Sequence, residues 1–356
     1  VISGSAAARH FGYSSARVKA MESRLITDKT MKEIASAKDV STIIAILFQG
    51  DYKHELEEYG GQEIKSEMID FALSKNLAKS VSKLIQISPS TERKLIRTVV
   101  GKWDLYNVKL AIEAKDRRKS YDSIARYVID YGIYNSSFIK DAMREESIEG
   151  MLGKFMLNSP YRDIIKDAQD EYKKNRNAYD AVAAIDRNYY KLVGTVITGL
   201  RIIDNSSARI IKMDIDLQNI MLMIKAKKAG AKFQDIGQNI ISSGNISAQE
   251  LEQIYNSSKD IESMVLQIKT YDLKGAVDMY REGKSRQLLY FEIGIRNYIF
   301  NSSIALLKHS ILSLGAILAY AYMKEIEIFT LRIFINSKLY GLSREEASRL
   351  IIWKSE

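Results

Sequence analysis

AYMKEIEIFTLRIFINSKLYGLS, residues 321–343, decides the reading of this chain. Its aliphatic residues recur every three or four positions, and a Tyr-Gly pair followed by serine closes it, so the spacing predicts one amphipathic helix. The centre of that helix, EIFTLRIFINSK at 327–338, has two earlier counterparts: DLYNVKLAIEAK at 104–115 and DLQNIMLMIKAK at 216–227. An acid opens each (Asp104, Asp216, Glu327). A small polar residue stands three positions later (Asn107, Asn219, Thr330), an aliphatic follows it, and a lysine ends each copy (Lys115, Lys227, Lys338). The copies lie 112 and then 111 residues apart. Amphipathic helices in general repeat aliphatics at this spacing. Periodicity alone does not account for the acid, the small polar residue and the terminal lysine together.

The register continues past the lysines. Tyr121 matches Phe233, Ile124 matches Ile236, and Gly132 matches Gly244. In YSSARVKAMESR, 13–24, Tyr13 and Ala16 take the aromatic and aliphatic places while Arg24 replaces the glycine, so that copy is degenerate. Tyr52, Tyr161 and Tyr271 recur at similar spacing. Such a period is longer than the ~20–50 residues of a solenoid unit and suits a separate folding unit. The expectation is an all-α chain of three similar helical lobes, 1–115, 116–227 and 228–356, the last carrying a C-terminal helix. Asp104/Asn107 and Asp216/Asn219 recur once per repeat. They read as structural fixings at a shared helix junction, where an asparagine satisfies the backbone groups of a neighbouring loop.

Composition agrees with long helices. The 356 residues include only two prolines, Pro89 and Pro160, each behind a serine and each suited to a first helical turn. Thr30/Glu33, Ser247/Glu250 and Ser343/Glu346 have capping-box spacing. No run of alternating residues bounded by turns argues for strands. Cysteine is absent, which removes disulfides, thiol catalysis and Cys-based zinc sites. The formal charge is +9, but basic and acidic residues interleave as on solvated helix faces. The densest clusters, KDRRK at 115–119 and KKNR at 173–176, are short, with no nucleic-acid-binding module around them. The longest apolar run, SILSLGAILAYAYM at 310–323, is too short to cross ~30 Å of hydrocarbon and reads as a buried helix. No cleavable signal pattern is read at the N-terminus.

Candidate chemistry fails at each place. Gly283-Lys284-Ser285 resembles the end of a phosphate-binding loop, but Asp278 stands where that loop needs glycine, so an exposed basic turn is expected. His10, His54 and His309 are isolated, and Glu57/Glu58 and Glu145/Glu146 read as solvated pairs. No catalytic residue, cofactor-binding residue or metal ligand is assigned. The twenty-one tyrosines read as packing residues.

Four segments together resemble the C subunits of archaeal and bacterial A/V-type rotary ATPases, a family related to the d subunit of the vacuolar enzyme. They are YSSARVKAMESRLI (13–26), WDLYNVKLAIEAK (103–115), MDIDLQNIMLMIKAK (213–227) and LAYAYMKEIEIFTLRIFINSKLYGL (318–342). Tyr13, Ala16 and Arg17 carry the first, and Tyr322, Lys324, Glu325, Glu327, Leu331 and Arg332 carry the last. Thr330 stands where the family has asparagine, and the family's proline ahead of that helix is missing. The resemblance implies an all-helical funnel of three lobes about a pseudo-threefold axis, peripheral on the cytoplasmic face of the cell membrane. It implies one copy per complex, a monomer when isolated. Its implied partners are the D and F subunits of the central stalk and the membrane rotor ring. The implied role is non-catalytic, linking shaft to ring so that rotation couples ATP turnover to ion transport, with no cofactor. The alternative is a helical adaptor or nucleic-acid-binding scaffold that uses the basic excess; an enzyme ranks third.

Overall fold

A computed structural model describes residues 4–58, 66–199, 205–283, 287–309, 312–339 and 341. The turn residues Lys284 and Ser285 and the cap pair Ser343/Glu346 lie outside them. In chain order the helices are α1 Gly4–Glu22, α2 Asp28–Ser36, α3 Val40–Leu47, α4 Lys53–Glu57, α5 Ser66–Ile87, α6 Arg93–Val100 and α7 Lys102–Asp116. There follow α8 Tyr121–Ile124, α9 Ser136–Ala142, α10 Ile148–Phe155, α11 Arg162–Asn175, α12 Ala178–Gly199 and α13 Asn205–Lys228. The last are α14 Phe233–Ile236, α15 Ala248–Ser257, α16 Ile261–Gln267, α17 Lys274–Glu282, α18 Leu288–His309 and α19 Leu314–Leu339. Short 3₁₀ turns follow α8 at Ala125–Tyr127 and α14 at Gly237–Asn239. No strand occurs among the described residues, so the all-α class holds.

Local chemistry sets the helix ends. Ser247 caps α15, its hydroxyl accepting from Glu250 N at 3.2 Å. Thr30 does not cap α2: Thr27, three residues earlier, takes the extended cap conformation and accepts from Thr30 N. Starting there adds a turn and puts Asp28 at the helix N-terminus, where the dipole favours an acid. The prolines are also placed differently from the expectation. Pro89 and Pro160 lie in turns ahead of α6 and α11, and the Ser88 hydroxyl donates back to Leu84 O instead of capping forward. The C-terminal ends of the repeated helices share one device. Arg118, Gly230 and Gly341, each three residues beyond its lysine, have φ of +53°, +70° and +72°. Behind the first two, Lys119 N donates to Ala114 O at 2.8 Å and Ala231 N to Ala226 O at 3.0 Å, the six-to-one bond of a left-handed helix terminus.

The chain packs as two compact units, Leu47–Val196 and a second formed by Val1–Ile46 with Ile197–Glu356. In the first, α7 packs against α6, α8, α9 and α10, with Leu105, Val108 and Ile112 buried. Tyr189 of α12 donates to Val99 O at 2.7 Å, and Lys109 of α7 pairs with Asp186 of α12.

In the second unit α13, α18 and α19 pack on one another, α17 lies on α18, and α1 lies on α19. Gly294 lets α18 approach α17: a Cβ there would stand 2.4 Å from Ala276 Cα. Helix α19 departs from the amphipathic expectation, because residues on every side of it are buried from Leu314 to Ile335. A helix apolar all round belongs in a protein interior. Its polar residues Lys324, Glu327 and Thr330 therefore need partners inside the protein.

Candidate functional site

The repeated motif builds a clasp in which a helix holds the backbone of a segment well removed in sequence. On α7 the Asn107 amide donates to Ile129 O at 2.7 Å and Tyr134 O at 2.9 Å and accepts from Ile129 N at 3.0 Å. One turn earlier Asp104 accepts from Tyr134 N at 3.2 Å and from the Tyr161 hydroxyl at 3.3 Å. Near the helix end Lys115 donates to Met143 O at 3.0 Å and also to Glu145 O. Gly132 is the residue that admits the carboxylate: its φ is +71°, and a Cβ would lie 2.2 Å from Asp104 Oδ1.

The α13 clasp repeats these contacts. Asn219 donates to Ile241 O at 2.8 Å and accepts from Ile241 N at 2.9 Å. Asp216 accepts from Asn245 N at 2.8 Å, from Ile246 N at 3.2 Å and from the Tyr271 hydroxyl. Lys227 donates to Tyr255 O at 2.6 Å. A Cβ on Gly244 would stand 1.8 Å from Asp216 Oδ1, so the Gly132/Gly244 match has the same steric origin twice.

In the α19 clasp the held segment comes from the other end of the chain. Glu327 accepts from Ile26 N at 2.6 Å, and Lys338 donates to Ala35 O at 3.3 Å. Ile26 and Ala35 are nine residues apart, as are Tyr134 and Met143, and Ile246 and Tyr255. The helix is thus the third copy and its held segment the first. Thr330 departs from the asparagine pattern for a visible reason. Its hydroxyl bonds Ile326 O within α19 at 2.8 Å. The segment it would otherwise hold begins in α1, where the backbone bonds itself, as in Arg24 N to Met21 O at 3.1 Å.

Electrostatics divide the three clasps. Asp104 and Asp216 make no ion pair among the described residues. Burial pushes the Asp104 carboxyl up to about 6, against the opposing hydrogen bonds from Tyr134 N and the Tyr161 hydroxyl. Burial also raises Asp216. Burial, with the neighbouring carboxylate adding to it, holds Tyr161 and Tyr271 well above the usual phenol range. Glu327 instead faces Lys324 at 2.7 Å, and both side chains are essentially inaccessible to solvent.

The remaining residues singled out by sequence scatter around this frame. Tyr322 donates to Asp214 of α13 at 2.9 Å, inside the protein. Glu325 stands 3.8 Å from Arg296 of α18, which also pairs with Glu292 at 2.9 Å and stacks on Phe329. Leu331 is buried and Arg332 half-buried. Tyr13, Ala16 and Arg17 are not brought to any clasp; they lie on the exposed side of α1, opposite Phe11, Ser14 and Val18. Asp214 and Arg296 escaped the sequence reading. Asp214 sits two residues before the repeated motif, and Arg296 has no counterpart in it.

This arrangement fastens backbone; it does not offer a reaction site. Asp104 is 5% exposed and Asp216 and Glu327 are fully buried, so no substrate reaches them. Among the described residues no group of three His, Cys, Asp or Glu is placed to hold a metal ion. The cavity between α13 and α18 measures about 260 Å³ and that between α13, α18 and α19 about 100 Å³, both below the ~300 Å³ at which ligand pockets begin. No described helix is long and apolar enough to cross a membrane.

Comparison with known proteins covers nearly the whole chain. A family model described as ATP synthase (C/AC39) subunit matches residues 14–350. The A-type ATP synthase C subunit of Thermoplasma acidophilum is 24% identical over 346 residues, 94% of this chain and 96% of its own. The protein of the same name from Thermococcus kodakarensis is 25% identical, over 94% and 88%. That of Archaeoglobus fulgidus is 24% identical, over 96% of each.

Proposed function

The chain belongs to the ATP synthase (C/AC39) subunit family, and from that membership we infer a non-catalytic subunit on the rotor axis of an A-type ATP synthase. It joins the central shaft, made of the D and F subunits, to the membrane rotor ring, so that rotation couples ATP turnover to ion transport. It sits peripherally on the cytoplasmic face of the membrane, one copy per complex, with lobes 1–115, 116–227 and 228–356 about a pseudo-threefold axis. The observation that carries this reading is the family match across residues 14–350. The clasps support it physically. A coupling part must resist torque, and each clasp ties a helix to backbone 22 or more residues away through hydrogen bonds, buried at α7 and α13 and part-buried at α19.

The test is co-purification from native membranes through a tag on this chain. Shaft and ring subunits are expected to come with it in one-to-one and ring stoichiometry respectively. Recovery of nucleic acid with a steep salt dependence, and of neither set of subunits, would replace this reading with the scaffold alternative.

A further inference from the structure

The three clasps use one backbone geometry but two kinds of charge. Glu327 has its cation at 2.7 Å, while Asp104 and Asp216 are enclosed by neutral donors. The titratable groups facing Asp104 are Tyr131 and Tyr134 on the loop after α8 and Tyr161 ahead of α11, with Arg97 of α6 acting on Tyr131. The cations of α9 and α10 are engaged elsewhere, Lys140 over the Tyr121 ring and Lys154 with Asp141 and Glu145. Asp216 is faced by Tyr271, with Tyr298 of α18 beside that ring. The charged groups on the elements around α13 are likewise spent: Asp235 on Lys232 N, Glu262 on Arg281, Glu292 and Glu325 on Arg296.

We propose that the two clasps whose carboxyl has no paired cation are proton-operated fastenings: a proton taken up by Asp104 or Asp216 holds residues 128–135 or 240–247 more tightly on their helix, whereas the α19 clasp relies on its built-in counter-charge. Lifting either loop would return its carboxyl to water and to ordinary acidity. Where the closed carboxyl carries a proton that the opened one does not, lifting must expel that proton, so it becomes harder as pH falls. The direction follows from Asp104, whose carboxyl is raised from 3.8 to about 6 when the loop is closed. The extra hold is complete below the lower value and lost as pH rises through the upper one. The protonated state keeps its hydrogen bonds, because a tyrosine hydroxyl both donates and accepts. Tyr161 can turn to accept from a protonated Asp104, and Tyr271 from Asp216. Acidification of the compartment that holds this chain thereby stiffens two of its three fastenings.

Amide hydrogen exchange on the full chain, corrected for the intrinsic pH dependence of exchange, tests this between about pH 4.5 and about pH 7.5. The protection of Tyr134 N is expected to fall by about tenfold or more as pH rises, with a fall of the same sign at Ile246 N. Protection of Ile26 N, held by the Lys324-paired Glu327, is not expected to follow. A flat profile at Tyr134 and Ile246, or an equal fall at Ile26, overturns the proposal. Asp104→Asn should flatten the profile at Tyr134 and leave that at Ile246 sloping; a slope retained at Tyr134 counts against it. If that variant does not fold, the carboxyl carbon of Asp104 in the unaltered chain is titrated by NMR. A midpoint near 4 would also overturn it.

Discussion

Gly132 shows how far a single residue was legible. Its match with Gly244 was visible in the register, but the carboxylate that needs the space is Asp104, 28 residues back in the chain. Sequence reports recurrence, and only folding reveals what a recurring residue faces. Gly132→Ala combines a left-handed backbone with a collision at the carboxylate, and should cost about 2 kcal/mol or more in chemical denaturation. Gly230→Ala tests the backbone cost alone, since nothing lies near its would-be Cβ. It should cost about 1 kcal/mol. Arg118 occupies the equivalent left-handed position in the other compact unit. Arg118→Gly should therefore stabilise the chain slightly, by up to about 1 kcal/mol, read as a higher denaturation midpoint with unchanged slope. Asn107 was legible as a fixing because asparagine is costly inside a helix unless its amide is used. Which backbone groups it binds was not.

Among the elements, α19 was found in the right place and its first part, to Met323, was read as buried, but the part from Lys324 onward was given the wrong environment. Lys324, Glu325, Glu327 and Arg332 made it look half-solvated. In the fold Lys324 and Glu327 neutralise each other inside the protein, and Glu325 turns to Arg296. A charged residue in a sequence looks the same whether water or a counter-ion receives it. Removing one partner is the telling experiment. Lys324→Met leaves Glu327 buried without its cation and should destabilise by about 3–5 kcal/mol. The double variant Lys324→Met, Glu327→Gln removes the stranded charge and keeps an acceptor for Ile26 N, so it should recover part of that loss. Additive losses in the double variant would mean the two charges are not coupled. The misplaced cap of α2 has a different origin. Thr27 and Thr30 both have side chains able to cap, and the earlier one wins because it lets Asp28 join the first turn.

For the whole molecule, the repeat told more than any single motif, because three helices share an acid, a small polar residue and a lysine at near-constant spacing, which periodicity alone does not account for. It did not tell that the third helix clasps the first segment, since contacts 301 and 303 residues apart leave no local trace. If the three proposed lobes surround the rotor axis, they cannot match a ring with more than three subunits contact for contact, so the ring joint should tolerate irregularity and the shaft joint should be the specific one, with buried anchors near its centre. The most direct measurement uses membrane vesicles carrying the rotary complex, stripped of this chain and then given it back. Ion pumping and ATP hydrolysis are followed side by side. Stripping is expected to abolish vesicle acidification while hydrolysis by the detached head continues, and the added chain is expected to restore acidification. Pumping at full rate without the chain would contradict the coupling role.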